Sequence, residues 1–211
     1  MRILRATLSG VAAAGFLTVS LAAAAGQTMG RDAMHSMPMT GTMTKEQKIA
    51  SASSAAPAAV AAKATILDWP AKEGAEPTVL RAGTNGFSCF PDMPETEGND
   101  PMCLDKSFVA FIDAYLKHAA PSITSLGIGY MIAPGGGYES NTDPFATAKT
   151  ATNQWMQHPP HLMLAVPDTK TLEGISTDPN NGGPYVMWMG TPYAHIMAPV
   201  TSPATTMKTG Q

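Results

Sequence analysis

The sequence predicts an α+β domain: a mostly antiparallel sheet of about four or five strands, one main amphipathic helix and one disulfide. Three observations predict it. Only residues 105–119 carry a clear helical period. Strand signatures recur elsewhere, as alternation over 125–132 and short apolar runs at 161–166, 185–189 and 194–200. The 18 prolines and 19 glycines of this 211-residue chain cut it into pieces too short for a coiled coil. Glycine is not periodic, so collagen is excluded, and an apolar share of 44% excludes a wholly disordered chain. The net charge of −3, from 13 basic and 16 acidic residues, lacks the basic excess of a nucleic-acid binder.

The chain opens with Arg2 and Arg5, then an uncharged run over 6–25 that ends in Ala23-Ala24-Ala25. Positive start, small-residue run and A-x-A ending predict a signal peptide, 1–25, cut near Ala25. An uncleaved anchor is the rival, since 20 residues can span a bilayer. The run is mostly Ala, Gly, Ser and Thr, which favours cleavage. The first cysteine is Cys89, far from the cut, so no lipid anchor is expected. No later stretch reaches 18 apolar residues, so no membrane span remains after cleavage. Cleavage removes two arginines and no acid, which takes the net charge from −3 to −5. The predicted address is periplasmic or secreted.

Residues 26–64 predict a flexible arm rich in Met, Ala and Ser. It holds one aliphatic larger than Val, Ile49, and so little apolar surface to offset its ordering entropy. Its Ala-rich part, 45–64, is transiently helical at most, because Pro57 interrupts it. Ile66, Leu67 and Trp69 begin a single globular domain over 65–200, a size sufficient for one core. Residues 201–211 read as a disordered polar tail.

Within the domain, residues 78–81 predict an edge strand. Export places Cys89 and Cys103 in an oxidising compartment, where an even pair predicts one disulfide. Its 15-residue loop is worth ~3 kcal/mol in the chain-entropy account. The spacing is not C-x-x-C, so a redox role has little support. Asp105 is the predicted N-cap of the helix. Phe108, Phe111, Ile112, Tyr115, Leu116 and Ala119 form its apolar face, Pro121 stops it, and His118 sits at the surface of its last turn. In the alternating segment that follows, Gly127 and Gly129 share a face, which predicts a backbone or ring packed closely there. The connector Gly190-Thr191-Pro192 predicts an antiparallel hairpin between the last two strands. Residues 168–174 suggest one helical turn, and 133–144 and 176–184 read as long loops able to carry function.

The segments Asn85-Gly86-Phe87-Ser88-Cys89, Asn99-Asp100-Pro101-Met102-Cys103-Leu104-Asp105, Ser140-Asn141-Thr142-Asp143-Pro144-Phe145-Ala146, Gly183-Pro184-Tyr185-Val186-Met187-Trp188 and Pro192-Tyr193-Ala194-His195-Ile196-Met197 resemble a group of exported bacterial proteins of unknown function. The resemblance spans roughly residues 77–200. It supports the domain boundary and implies no activity.

Three clusters could carry chemistry. Met34, His35, Met37 and Met39 form the centre of a run that also includes Met29 and Met43. Thioethers are soft ligands that select Cu(I), and copper is the cofactor this run predicts. An idle low-complexity linker, or sacrificial oxidation, would look the same. His158-Pro159-Pro160-His161 is the second cluster. In polyproline II its two histidines would attach on one side, ~9 Å apart. His195 could add a third nitrogen for zinc or copper if its strand lies nearby. The bland alternative makes His158 a loop residue, His161 a strand start and His195 a hydrogen-bonded core residue. Third, Asp92, Glu95, Glu97, Asp100 and Asp105 are acidic but lack the EF-hand spacing, so a solvated acidic loop is expected. No nucleophile elbow, H-E-x-x-H helix or phosphate cradle is present. The predicted function is therefore an exported non-enzymatic protein that binds copper through its Met-rich arm. The alternatives are a small-molecule or envelope-component binding module, and a hydrolase without a recognisable motif.

Overall fold

The computed structural model describes residues 43–72, 74–93 and 95–200. The signal-peptide reading of 1–25, the metal-ligand reading of Met34, His35, Met37 and Met39, and the tail 201–211 lie outside those residues.

Ten strands and three α-helices follow in chain order: α1 (Lys45–Ser54), α2 (Ala58–Ala61), β1 (Thr65–Asp68), β2 (Thr78–Arg81), β3 (Ser88–Phe90), β4 (Met102–Leu104), α3 (Lys106–Leu116), β5 (Gly127–Met131), β6 (Tyr138–Ser140), β7 (Trp155–Gln157), β8 (His161–Ala165), β9 (Tyr185–Met187) and β10 (His195–Pro199). A 3-10 turn at Thr169–Leu172, capped by Asp168, precedes β9. Eight strands form one sheet in the order β2-β1-β3-β4-β5-β8-β10-β9, and β6 and β7 form a separate ribbon. The sheet is antiparallel except where β1 runs parallel to β3. It is thus larger than the four or five strands expected. The extra members are short: β1 has four residues and β3 and β4 have three each, too few to show alternation.

The disulfide joins β3 and β4 where Cys89 and Cys103 stand directly opposite one another. Side chains alternate across these strands. Cys89 and Cys103 therefore face one layer, and Phe90 and Leu104 face the other.

The cystine face is covered by α1 and α2. Thr44 and Gln47 form a reciprocal capping box at the start of α1. Ala52, Ala55, Ala56, Ala61 and Ala64 are buried against Ile66 and the cystine. Polar bonds lock this layer: Lys48 pairs with Asp68 at 2.6 Å, Ile132 N–H donates to Ala55 O at 3.0 Å, and Asn85 Nδ2 donates to Val60 O at 2.8 Å. The expectation of a flexible arm is therefore corrected for residues 45–64, which are part of the core. Alanine has no large side chain, but it lets a helix approach a sheet closely and loses almost no rotamer entropy on burial. Composition alone undervalued it.

The opposite face is covered by α3, capped as expected by Asp105 Oδ1, which accepts from Phe108 N–H at 2.8 Å. Phe108 and Phe111 are buried, and Val109, Ile112 and Tyr115 pack alongside. The helix ends before Pro121. His118, at φ 52°, adopts the left-handed cap conformation, with His118 N–H donating to Tyr115 O at 3.0 Å and Ala119 N–H to Ala114 O at 2.9 Å. A Cβ on Gly127 would stand 2.9 Å from the backbone nitrogen of Phe108. One on Gly129 would stand 2.8 Å from Met163 Cε. The close approach expected at this glycine pair is thus present.

Candidate functional site

The site grows out of alternation on the α3 face of the sheet. On β8, His161, Met163 and Ala165 are buried on that side. Met131 of β5 stands opposite His161, and Met197 of β10 stands opposite Met163. Met187 of β9 stands opposite His195. His195 and Met197 share a face, with Ile196 on the other side, as the strand period requires.

The β6–β7 ribbon closes this region beside α3. His158 N–H donates to Gly137 O at 3.0 Å, and Trp188 binds the ribbon through its backbone N–H to Asn141 O (2.9 Å) and its indole N–H to Ser140 O (2.8 Å). Trp188 has φ 57°, which is unusual for a bulky residue. The two bonds and a stack on Tyr115, with ring centroids 5.3 Å apart, hold it there. Gly136 has φ 39°, and a Cβ there would strike His158 O, so the bend that admits His158 requires glycine.

Sheet, helix and ribbon enclose a cavity of about 230 Å³. Its wall includes His158, His161 and His195, together with Met93, Met102, Met131, Met163, Met187 and Met197. Trp69, Tyr115, Trp188, Asp100 and Glu139 complete its rim and polar side.

All three histidines are buried. Each has one ring nitrogen engaged: His158 Nδ1 lies 3.0 Å from Tyr185 Oη, His161 Nδ1 2.6 Å from Pro159 O, and His195 Nδ1 2.9 Å from Tyr193 O. A carbonyl only accepts, so His161 and His195 carry their proton on Nδ1 and present a bare Nε2. The Nε2 atoms of His158 and His161 are buried without any hydrogen-bond partner. Such orphans are uncommon in folded proteins and call for an explanation. Burial lowers the pKa of His158 to about 3, and of His161 and His195 to about 4, so all three rings are neutral at pH 7.

The structure therefore brings together the three histidines that the sequence could only nominate. It does not place them in one ligand shell. Rings of His158 and His161 are 6.1 Å apart, whereas His195 is boxed by Phe108, Phe111 and Trp188 at 6.2, 5.7 and 5.1 Å. Among the described residues, no three His, Cys, Asp or Glu side chains stand close enough together to hold a metal ion. His158 and His161 thus stand as neighbours in the cavity lining, and His195 is packed among aromatic rings, in keeping with the bland alternative for that residue. The cavity methionines were missed because all but Met93, which lies in the loop after β3, occupy ordinary apolar strand positions. Only the register gathers them.

Two carboxyls on this side are perturbed. Glu139 lines the cavity and keeps exposed surface, yet it stands deep among protein atoms. Desolvation, reinforced by the charge of Asp100, raises its pKa to about 7. Asp92 is raised as well, chiefly by burial; the backbone N–H of Asp100 pulls it back, while the side chain and charge of Asp100 push it up. Asp92 Oδ1 accepts from Asp100 N–H at 2.8 Å and Asp105 caps α3, so these two members of the acidic cluster hold structure.

A larger groove, of about 1140 Å³, runs past Trp69, Phe90 and Leu116. Its rim alternates Lys48, Lys72 and Lys117 with Asp68, Glu76 and Asp113, the pattern of a solvated surface. None of the buried unpartnered atoms belongs to its lining. No described helix is long and apolar enough to cross a membrane. Comparison with protein-family models, curated proteins and solved structures finds no match to this chain.

Proposed function

We propose that this is an exported, non-enzymatic binding protein whose domain holds a small ligand in the cavity between α3 and the sheet. The carrying observation is the pair of buried, unpartnered Nε2 atoms on His158 and His161, two residues that line the cavity. An internal cavity with apolar walls and a few convergent polar groups is the usual form of a ligand site. At about 230 Å³ it suits an ion or a ligand of few atoms. The disulfide fits an oxidising compartment outside the cytosol.

The reading is tested by calorimetric unfolding of the exported chain against a panel of metal ions and small organic ligands. At one hundred times its Kd, a true ligand adds about 2.7 kcal/mol to stability. That gain should vanish in His161→Phe, which fills the site. A panel in which nothing raises the unfolding temperature, or in which His161→Phe responds like the parent, overturns the reading.

Glu139 favours a second reading, a hydrolase. Its carboxyl lines the cavity with His158 and His161, and a carboxyl pushed up to about 7 suits proton transfer at neutral pH. Turnover of ester, glycoside or peptide substrates, lost in Glu139→Gln, would support that reading instead.

A further inference from the structure

We propose that the cavity ligand is a soft monovalent metal ion, Cu(I), held by Nε2 of His158 and Nε2 of His161 and completed by the thioethers of Met131 and Met163. This inference deepens the binding-module reading and rests on it.

Four observations converge on these atoms. Both Nε2 atoms are buried and unpartnered, so each lacks a partner that a metal would supply. His161 has its tautomer set by the bond from Nδ1 to Pro159 O, and Tyr185 Oη can set that of His158 by accepting from Nδ1. Metal-ligating histidines are commonly oriented in this way, by a hydrogen bond on the ring nitrogen that does not ligate. Met131 is the direct cross-strand neighbour of His161, and Met163 is two residues along β8 on the same face. Their side chains are therefore within reach of the His161 ring. Six of the chain's 15 methionines line this one cavity.

Donor chemistry selects the ion. Among the described residues there is no cluster of three His, Cys, Asp or Glu side chains to satisfy zinc or a harder cation. Two neutral imidazoles and neutral thioethers are instead a soft set, which favours Cu(I). A low-coordinate Cu(I) ion needs only two or three donors, and a pair of nitrogens with a sulfur meets that need. The cavity is lined by Trp69, Phe108, Phe111 and Trp188, which shield a bound ion from water. The Met-rich run around Met34, Met37 and Met39 offers the same donor chemistry elsewhere in the chain. The test must therefore separate the two.

The experiment is an anaerobic Cu(I) titration of the whole exported chain against a chromophoric Cu(I) chelator, with Zn(II) run in parallel. Two variants accompany the parent. Met29→Leu/Met34→Leu/His35→Ala/Met37→Leu/Met39→Leu/Met43→Leu silences the arm, and Met131→Leu/Met163→Leu removes two cavity sulfurs while keeping their volume. The arm-silenced chain should retain one tight Cu(I) per chain and ignore Zn(II). In that background, Met131→Leu/Met163→Leu should weaken Cu(I) at least tenfold, with circular dichroism confirming that it is folded. Binding that disappears with the arm methionines, or that survives the cavity double substitution unchanged, overturns the proposal. If Cu(I) fails while another panel ligand stabilises the parent and not His161→Phe, the metal inference falls and the binding module stands. If no ligand stabilises the parent, both fall.

Discussion

The two faces of the sheet solve the same burial problem with opposite materials. On the cystine side, α1 and α2 press alanines directly onto Ile66 and the disulfide, in a layer whose buried centre is mostly small side chains. On the α3 side, the same sheet is covered by phenylalanines, methionines, tryptophan and histidines, and a cavity of about 230 Å³ remains among them. Small residues pack with few degrees of freedom and leave little to adjust. Methionine, unbranched and polarisable, fills irregular space and adapts to what enters it. The contrast teaches that one face is filled by close packing while the other leaves a cavity and unpartnered nitrogen, the features on which the proposed ligand site rests.

Substitutions on each face can break or sharpen this contrast. The largest effect is expected from Phe111→Ala, which removes a buried ring between α3 and His195. It should cost about 3–5 kcal/mol in denaturant unfolding. A loss below about 1 kcal/mol would mean that the α3 face is not a packed core. Next comes Cys89→Ala/Cys103→Ala on the alanine side. Releasing its 15-residue loop should cost ~3 kcal/mol, measured in the same way. Ala55→Leu forces volume into a fully buried helix–sheet contact and should cost about 1–3 kcal/mol. Met197→Leu conserves volume on the cavity face and should cost less than about 1.5 kcal/mol. If Met197→Leu proves costlier than Ala55→Leu, the contrast between a rigid and an adaptable face is broken.

A change of pH acts on two sets of groups at once, and its net effect is reduced because they oppose one another. The histidines have folded pKa values of about 3 to 4, below their usual 6.5. As pH falls below 6.5 the unfolded chain takes up protons that the folded chain refuses, so stability is lost toward pH 4. Glu139 and Asp92 do the reverse. Raised to about 7, they hold protons in the folded chain that the unfolded one lacks, so they add stability as pH falls from 7 toward 4. The metal-free chain should therefore show a shallow loss of stability between pH 6.5 and 4.5. Glu139→Gln removes one compensating proton and should steepen it. Denaturant midpoints across that range check both statements, and a slope unchanged by Glu139→Gln would sink the second.

Much of the fold was legible where a segment carries its own period. The apolar face of α3, its Asp105 cap, the edge strand β2, and β5, β8, β9 and β10 all announce themselves in the sequence. Cys89 and Cys103 announced their pairing by number and spacing. The rest lacked a local signal. β3, β4, β6 and β7 are three residues long, shorter than any reliable alternation. Residues 45–64 read as an arm because a buried alanine and a solvated one look the same until a partner surface is present.

By itself, the sequence determined the α+β class, the main helix, the strands with a clear apolar pattern, the disulfide and the three histidines as candidates. Each depends on neighbours a few residues apart. Only the tertiary structure decided that the alanine helices belong to the core, that His158 and His161 are paired and orphaned while His195 is boxed by rings, and that six scattered methionines face one cavity. Those outcomes depend on strand order and register, which bring β5, β8, β9 and β10 together from sequence positions 127 to 199. A periodic pattern says which face a residue takes. It cannot say what stands opposite.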